Sequence, residues 1–317
     1  MHLLGVAGIL NFDYQKEIMK RLSLTLLIGS VLFLVLTSLT VFAQSEKIPV
    51  SFIPKPNQVS HLRLQTEMQM EMTFEGDLPP EMAAMNPMKM NMKSVIGLTQ
   101  KTGPVNKQGK IEMEITYDEV ASEMTMNGNP VPLGDLGAQT KGKKITAVFT
   151  QQGEMVEVNA PADMPVTKDA LKELMKSVYG NLPKDPLAIG ETATMPLNMA
   201  LPLPGIAPIN LGGQMKIKLA RIDKDGTSRI ARLDQFIDAT LLGPIEFASP
   251  QGQIKMNFDF KMTGTGFSEL DVDKVLVKSG ESTTTLEGKA STPANSAVPI
   301  PGFSIKGVVK TVITGTN

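Results

Sequence analysis

The stretch His61-Leu62-Arg63-Leu64-Gln65-Thr66-Glu67-Met68-Gln69-Met70-Glu71-Met72-Thr73-Phe74 decides the fold. Apart from Thr66, its even positions are apolar, and its odd positions are polar or charged. In a strand, alternate side chains point to opposite faces, so period two means one buried face and one wet face. Working outward, Gly76 to Pro87 reads as a Pro-containing loop, after which Met88, Met90 and Met92 resume the alternation and run on to Leu98. If these two runs pair as a hairpin, Met68, Met70, Met72, Met88, Met90 and Met92 line one face.

The same pattern continues along the chain. Asn106-Lys107-Gln108-Gly109 is a turn, and Ile111, Met113, Ile115 and Tyr117 alternate after it. Asn127-Gly128-Asn129-Pro130 breaks that run, and shorter strands follow at Ile145–Thr150 and Met155–Asn159. The second half reads as strands at Leu187–Leu201, Met215–Ile222, Ser228–Leu241, Gln253–Thr265, Val272–Lys278, Ser282–Glu287 and Ser304–Thr314. Loops are expected at Gly205–Gly213 and at 291–302. One segment reads as a helix, 167–179. Thr167 is a good N-cap, Leu171, Leu174, Met175, Val178 and Tyr179 form an apolar stripe, and Gly180 terminates it.

Many strands at short spacing predict a mainly β protein. The expected architecture is a large curved antiparallel sheet, half-barrel or barrel-like, with one helix packed on its concave face. Met88 to Lys93 resembles Gln214 to Leu219, and each is followed by a turn and a longer strand. This suggests a duplicated meander with repeats 58–160 and 187–317, joined by helix 167–179. The β-rich domain then covers 58–317, and 44–57, with Pro49, Pro54 and Pro56, is an extended lead-in.

Residues 1–43 read as an N-terminal extension and signal peptide. Lys20-Arg21 precedes an unbroken apolar run from Leu22 to Phe42, and Val41-Phe42-Ala43 fits the cleavage rule. Met19 sits directly before the basic pair, so the signal proper is expected to start there. The competing reading is a retained anchor, because about 20 apolar residues span a bilayer. There is no cysteine, hence no lipid-attachment site and no disulfide framework. The expected destination is the periplasm or the cell exterior.

Two stretches carry a resemblance. Leu187-Ala188-Ile189-Gly190-Glu191 opens a strand after the helix. Gly264-Thr265-Gly266-Phe267-Ser268-Glu269-Leu270-Asp271, through Gly280 and Thr283–Gly288, looks like closing hairpins. In these the chain resembles uncharacterised exported bacterial families of β-rich domains, and that resemblance implies no activity. The layout is also reminiscent of lipoprotein-carrier half-barrels of the cell envelope, by architecture alone.

Composition narrows the function. Net charge is −1 with no basic run, so nucleic acid is not expected as a partner. The two histidines are His2, in the N-terminal extension, and His61, so a Ser-His-Asp or zinc site has almost nothing to draw on. Asp223-Lys224-Asp225-Gly226 starts like a calcium loop, but the following residues do not continue the pattern, and a hairpin turn is expected. No cofactor and no enzymatic activity are expected.

Methionine is abundant, at 21, while Trp is absent and Tyr numbers three. Thioether chains are flexible gap-fillers and soft metal ligands. The leading expectation is a non-enzymatic envelope protein holding a lipid or other apolar ligand between sheet and helix. Its wall would be Met68, Met70, Met72, Met90, Met92, Leu171, Leu174, Met175 and Val178. The alternatives are Cu(I) or Ag(I) binding through Met82, Met85, Met88 and Met90, and a structural or adhesive module. Contact with a membrane is expected only through an uncleaved signal, and oligomeric state is left open.

Overall fold

The computed structural model describes residues 47–48, 54–133 apart from 77 and 79, 136–164, 168, 171–172, 183, 185–249 apart from 204–205, 252–292 and 301–316. The protein is mainly β. The first half contributes β1 (Lys47–Ile48), β2 (Val59–Phe74), β3 (Met88–Thr102), β4 (Lys110–Met126), β5 (Asn129–Pro130), β6 (Lys144–Thr150) and β7 (Met155–Asn159). The second contributes β8 (Leu187–Ala188), β9 (Thr192–Leu203), β10 (Ile206–Asp225), β11 (Ser228–Ser249), β12 (Gly252–Asp271), β13 (Leu276–Ser291) and β14 (Phe303–Thr316). Two single-turn helices, α1 (Pro80–Ala83) and α2 (Leu136–Thr140), sit in the connections.

One antiparallel sheet holds both halves, in the order β7-β6-β4-β3-β2-β14-β13-β12-β11-β10-β9, with β5 paired to β4. The chain enters at the middle with β2, walks to one edge at β7, crosses to the other edge at β9, and walks back until β14 pairs with β2. That last pairing runs unbroken from Phe303 opposite Phe74 to Thr316 opposite His61. The stretch with the clearest alternation is therefore the seam that joins the halves. The sheet does not close among the described residues, and β1 and β8 form a separate ribbon. The two similar stretches lie in β3 and β10, each the second strand of its run.

Two sequence expectations are corrected. Residues 206–213, expected as loop, are strand: β10 pairs with β9 through them, and a register shift between Ile206 and Ile209 accommodates Pro208. Residues 272–275, expected to begin a strand, form a turn, and Leu276–Ser291 is one strand where two were expected. Gly280 sits inside it because a Cβ there would come 3.1 Å from the Phe267 carbonyl oxygen. Closer approaches occur at Gly213, Gly266, Gly288 and Gly315, where a Cβ would lie 2.3, 2.5, 2.2 and 1.9 Å from a neighbouring strand's carbonyl oxygen. Glycines in such positions let a sheet bend sharply. Of the expected helix 167–179, Lys168, Leu171 and Lys172 are described and helical; its other residues lie outside the described set, as does the N-terminal extension and signal.

Side chains sort by face. Along β2 the buried residues alternate with exposed ones from Val59 to Met72. The inner face carries two apolar clusters, one at each end of the strands. The first holds Leu62, Leu64, Phe149, Ile217, Leu219 and Leu233 among others, and Ala160, Met164 and Leu171 of the crossing segment pack on it. The second is the methionine cluster described below. The outer face is charged, with ion pairs Lys93–Glu67 at 3.4 Å, Lys89–Glu71 at 3.9 Å and Arg63–Glu119 at 3.2 Å.

The 271–275 turn ties the lead-in to the sheet. Asp271 accepts from the N–H groups of Asp273 and Lys274 at 3.1 and 2.9 Å. Lys55 donates to the Asp273 carbonyl, and Gln58 to the Lys274 carbonyl at 2.8 Å. Val275 adopts φ 65°, a strained value for a β-branched residue, and its N–H bonds the Asp271 carbonyl at 2.8 Å. The Arg229 guanidinium donates to Asp273 at 2.5 Å, and this hydrogen bond holds the Asp273 carboxyl below its usual range. A carboxyl depressed in the folded state stabilises above its unfolded pKa, about 3.9, and that contribution is lost as pH falls through the folded value. Asp273→Asn should therefore lower the urea midpoint at pH 7, and the gap from wild type should shrink towards pH 3. A constant gap at both pH values would show that the ion pair adds nothing.

Candidate functional site

The methionine runs pair in register. Met68 lies opposite Met92, Met70 opposite Met90 and Met72 opposite Met88 across β2 and β3. Across β3 and β4, Met92 faces Met124 and Met90 faces Met126. Directly opposed Cβ atoms sit about 4.5–5.5 Å apart, so two complete rows form, Met68–Met92–Met124 and Met70–Met90–Met126, with a third pair beside them. All eight are buried. On the other side of β2, Gly307 of β14 faces Met70, and a Cβ there would come 2.8 Å from Met70 Cγ. The missing side chain leaves the thioether its space.

Aromatic rings border these rows. Phe258 and Phe260 of β12 stand 5.4 Å apart, centroid to centroid, and Phe303 bridges Phe258 at 6.4 Å and Phe74 at 6.1 Å. The end of the hairpin is fastened by side-chain amides. Asn86 exchanges two 3.0 Å bonds with the Phe74 backbone, and Asn127 accepts from the Lys89 N–H at 2.6 Å.

Methionine is concentrated here and not across the whole inner face. Among the described residues, nine of the 14 buried members of this cluster are methionine, Met256 being the ninth. The first cluster has three among 24: Met113, Met195 and Met215. Val and Ile suit strands best, and the first cluster leans on Leu, Ile and Val. The same sheet face therefore switches composition along its strands.

The structure brings Met68, Met70, Met72, Met90 and Met92 together, and Met88 with them. Leu171 packs on the first cluster, away from the methionines. Leu174, Met175 and Val178 lie outside the described residues. Of the loop methionines, Met85 is half-buried, and the Met82 side chain lies outside the described set. Met124, Met126, Met256 and the phenylalanines belong to the site although sequence reading did not pick them out. Ser122-Glu123-Met124-Thr125-Met126 does carry the period-two signal. A hollow of about 460 Å³ lies on the opposite, outer face over Gly307, rimmed by Glu71, Lys89, Glu287 and Lys306. Its rim is charged, and past Gly307 it reaches Met70 and Leu286.

Groups with catalytic potential are tied elsewhere. His61 is exposed, and its Nδ1 lies 2.8 Å from the Thr99 hydroxyl, which itself donates to Asp118 at 2.5 Å. A nucleophile triad needs the imidazole between hydroxyl and carboxylate; here the hydroxyl is in the middle. Asp225 pairs with Lys278 and Asp223 with Arg221, both at 2.5 Å, around a hairpin closed by Asp225 opposite Ser228. The hydrogen bond from Lys278 holds the Asp225 carboxyl below its usual range. Among the described residues no three His, Cys, Asp or Glu side chains gather as a metal site, and no helix is long and apolar enough to cross a membrane. Burial pushes the Tyr117 phenol up, so it stays neutral. Among the described residues, the exposed large apolar ones, Val59, Val105, Val156, Ile189, Leu242 and Val312, come one from each of six separate stretches.

No family model and no curated protein matches this chain. Among solved structures, lipovitellin is similar at 9% identity and a TM-score of 0.43, over 83% of this chain and 25% of that one. An outer membrane channel from Pseudomonas putida F1 matches at 7% identity and 0.22, over 86% and 99% of the two chains. A porin of Rh. blastica matches at 9% and 0.25, over 80% and 100%. This chain thus spans a quarter of the lipovitellin chain.

Truncation tests whether the rows are packed. Met90→Ala should cost about 2–5 kcal/mol in urea unfolding, whereas Met90→Leu, nearly equal in volume, should cost less than about 1.5 kcal/mol. Equal and small losses would mean that Met90 touches little.

Proposed function

We propose that this protein is a non-enzymatic, exported envelope protein that binds an apolar ligand, a lipid or lipid-linked group, on the methionine-and-phenylalanine end of its inner face. The observation that carries the reading is the local switch to methionine, nine of 14 buried residues against three of 24. A core that only needs filling has no reason to abandon Leu and Val at one end of the same strands. A surface that meets ligands of variable shape does, because the thioether chain adapts and also favours contact with aromatic rings. Pockets of this kind are mostly apolar with few polar groups. The charged outer face suits a water-exposed sheet, and the basic pair Lys20-Arg21 before the apolar run to Phe42 supports export to the periplasm or beyond. Native mass spectrometry of protein purified from cell envelopes should show co-purified lipid, or uptake of lipid by stripped protein. Neither co-purification nor uptake would contradict the reading.

A second reading has its own support. Three thioethers in one cross-strand row make a soft, water-poor donor set suited to Cu(I) or Ag(I). On this reading the metal sits in the row Met70–Met90–Met126, which takes Met90 from the 82–90 run and leaves out Met82 and Met85. Titration with silver nitrate in chloride-free buffer should saturate at one or two ions, and the triple replacement by Leu should abolish it. Loss on replacing Met82 and Met85 instead would place the metal in the loop.

A further inference from the structure

The two ends of the sheet differ in charge. At the Leu, Ile and Val end, the β3–β4 turn carries Lys107, the β10–β11 turn Lys224 and Asp225, and the β12–β13 turn Asp271, Asp273 and Lys274. At the methionine end, residues 192–215, which include the β9–β10 connection, hold no charge. Neither do residues 290–305, between β13 and β14, and residues 239–254, across the β11–β12 connection, hold only Glu246. The β2–β3 connection, with Glu75, Asp77 and Glu81, does not share this character.

The strands of the uncharged side also reach further. One register row runs from β2 to β11 through Phe74, Phe303, Ala290, Phe258 and Gly243. Past it β11 and β12 stay paired for six more residues, to Ser249 opposite Gly252, a reach of about 20 Å. β13 stops at Ser291, opposite Asn257. On the other flank, Ile206 of β10 pairs with Phe247 of β11 and with Leu203 of β9, so two hairpin ends lie side by side. This projection carries Leu201, Leu203, Ile206, Ile209, Ile245 and Phe247. Its charges, Glu246 and Lys255, stand directly opposite each other. Leu242, at its base, is 66% exposed, so apolar surface is open to solvent there.

We infer that the β9–β10 and β11–β12 hairpin ends dip into the surface of a lipid bilayer and dock the sheet end-on, with its charged turns towards water. This goes beyond the apolar-ligand reading and stands without it. A second copy of the chain is a poorer occupant. Four strands spaced about 4.8 Å apart over about 20 Å offer about 400 Å² on each face, half of the roughly 800 Å² per partner that a stable interface buries. Pro196 and Pro202 also deprive the free edge strand β9 of N–H groups for strand addition. A bilayer needs neither area nor edge. Burying one large apolar side chain is worth about tenfold or more in partition, so a few tip residues suffice. The Glu246–Lys255 pair limits the depth. It lies three residues back from the Ser249–Gly252 pair, about 10 Å, close to the roughly 5–10 Å reach of interfacial segments. Opposite charges that cancel give no reason for anionic lipid to be required.

The chain has no Trp, so a single introduced indole reports its surroundings without background. Leu203→Trp and Phe247→Trp mark the tips, and Thr227→Trp marks the exposed β10–β11 turn at the other end. Each variant, purified from cell envelopes, is mixed with phosphatidylcholine vesicles whose acyl chains are brominated. Both tip variants should shift to the blue and be quenched, equally at about 0.1 and about 1 M salt, while Thr227→Trp stays unchanged. Adding Phe247→Glu to the Leu203→Trp variant should weaken the vesicle titration about tenfold. A retained anchor at 22–42 would hold every variant on the vesicles alike, so it cannot produce this contrast. Unquenched tip indoles would overturn the inference, and so would equal quenching at both ends. Binding that requires phosphatidylglycerol and vanishes at the higher salt would replace it with an electrostatic contact. Tip indoles already blue-shifted without vesicles, and unmoved by them, would replace it with a contact between copies. Lipid uptake without docking would sink this inference and leave the apolar-ligand reading in place.

Discussion

Everything in this structure depends on the register of β2 against its neighbours. The inner methionines alone do not fix it. Slipping β3 by two residues along β2 keeps every side chain on its own face and still leaves two of the three methionine pairs opposed. The outer face supplies what the inner face lacks. In the observed register Glu67 meets Lys93 and Glu71 meets Lys89; after a two-residue slip either glutamate would meet Asn91, Val95 or Pro87. The row continues past β2, with Glu71 opposite Lys306, Lys306 opposite Glu287 and Glu287 opposite Lys261. Each exposed pair is worth only about 0.2–1 kcal/mol, but five strands of alternating sign act together against slippage. The charges let an adaptable, repetitive inner surface exist without an ambiguous sheet.

That division of labour was largely legible in the sequence. The alternation in 61–74 and 88–98 states which residues share a face, and a hairpin between them is enough to place six methionines together. Period two carries the information because a strand has only two faces. The shorter strand β6 was legible for the same reason.

What was not legible has a physical cause in each case. Residues 206–213 carry Pro208 and Gly212-Gly213 and look like loop, yet a bulge absorbs the proline and Gly213 permits a close backbone approach to β11. Gly280 interrupts the apolar pattern of Leu276–Ser291, but in the sheet it is only a place where two strands come near. Leu171 has the right stripe for the methionine wall and packs on the other cluster instead, because helix periodicity says which face is apolar and nothing about which end of a sheet it meets. Gln235, between Asp234 and Phe236 in the chain, carries no local signal. Only the cross-strand register reveals that it shares a row with Ser282, Thr311, Thr66 and Ser94. Residues that share one row across many strands are visible once pairing is known, and pairing is not local.

The central claim is that the methionine end of the inner face meets a ligand while the Leu, Ile and Val end is ordinary core. Methyl NMR of protein labelled at the methionine ε-carbons tests it most directly, because reporters stand in both clusters. On adding 1-decanol, the account predicts shifts concentrated in Met68, Met70, Met90, Met92, Met124 and Met126, with Met113, Met195 and Met215 unmoved. Unmoved resonances throughout, or shifts confined to the second group, would contradict it.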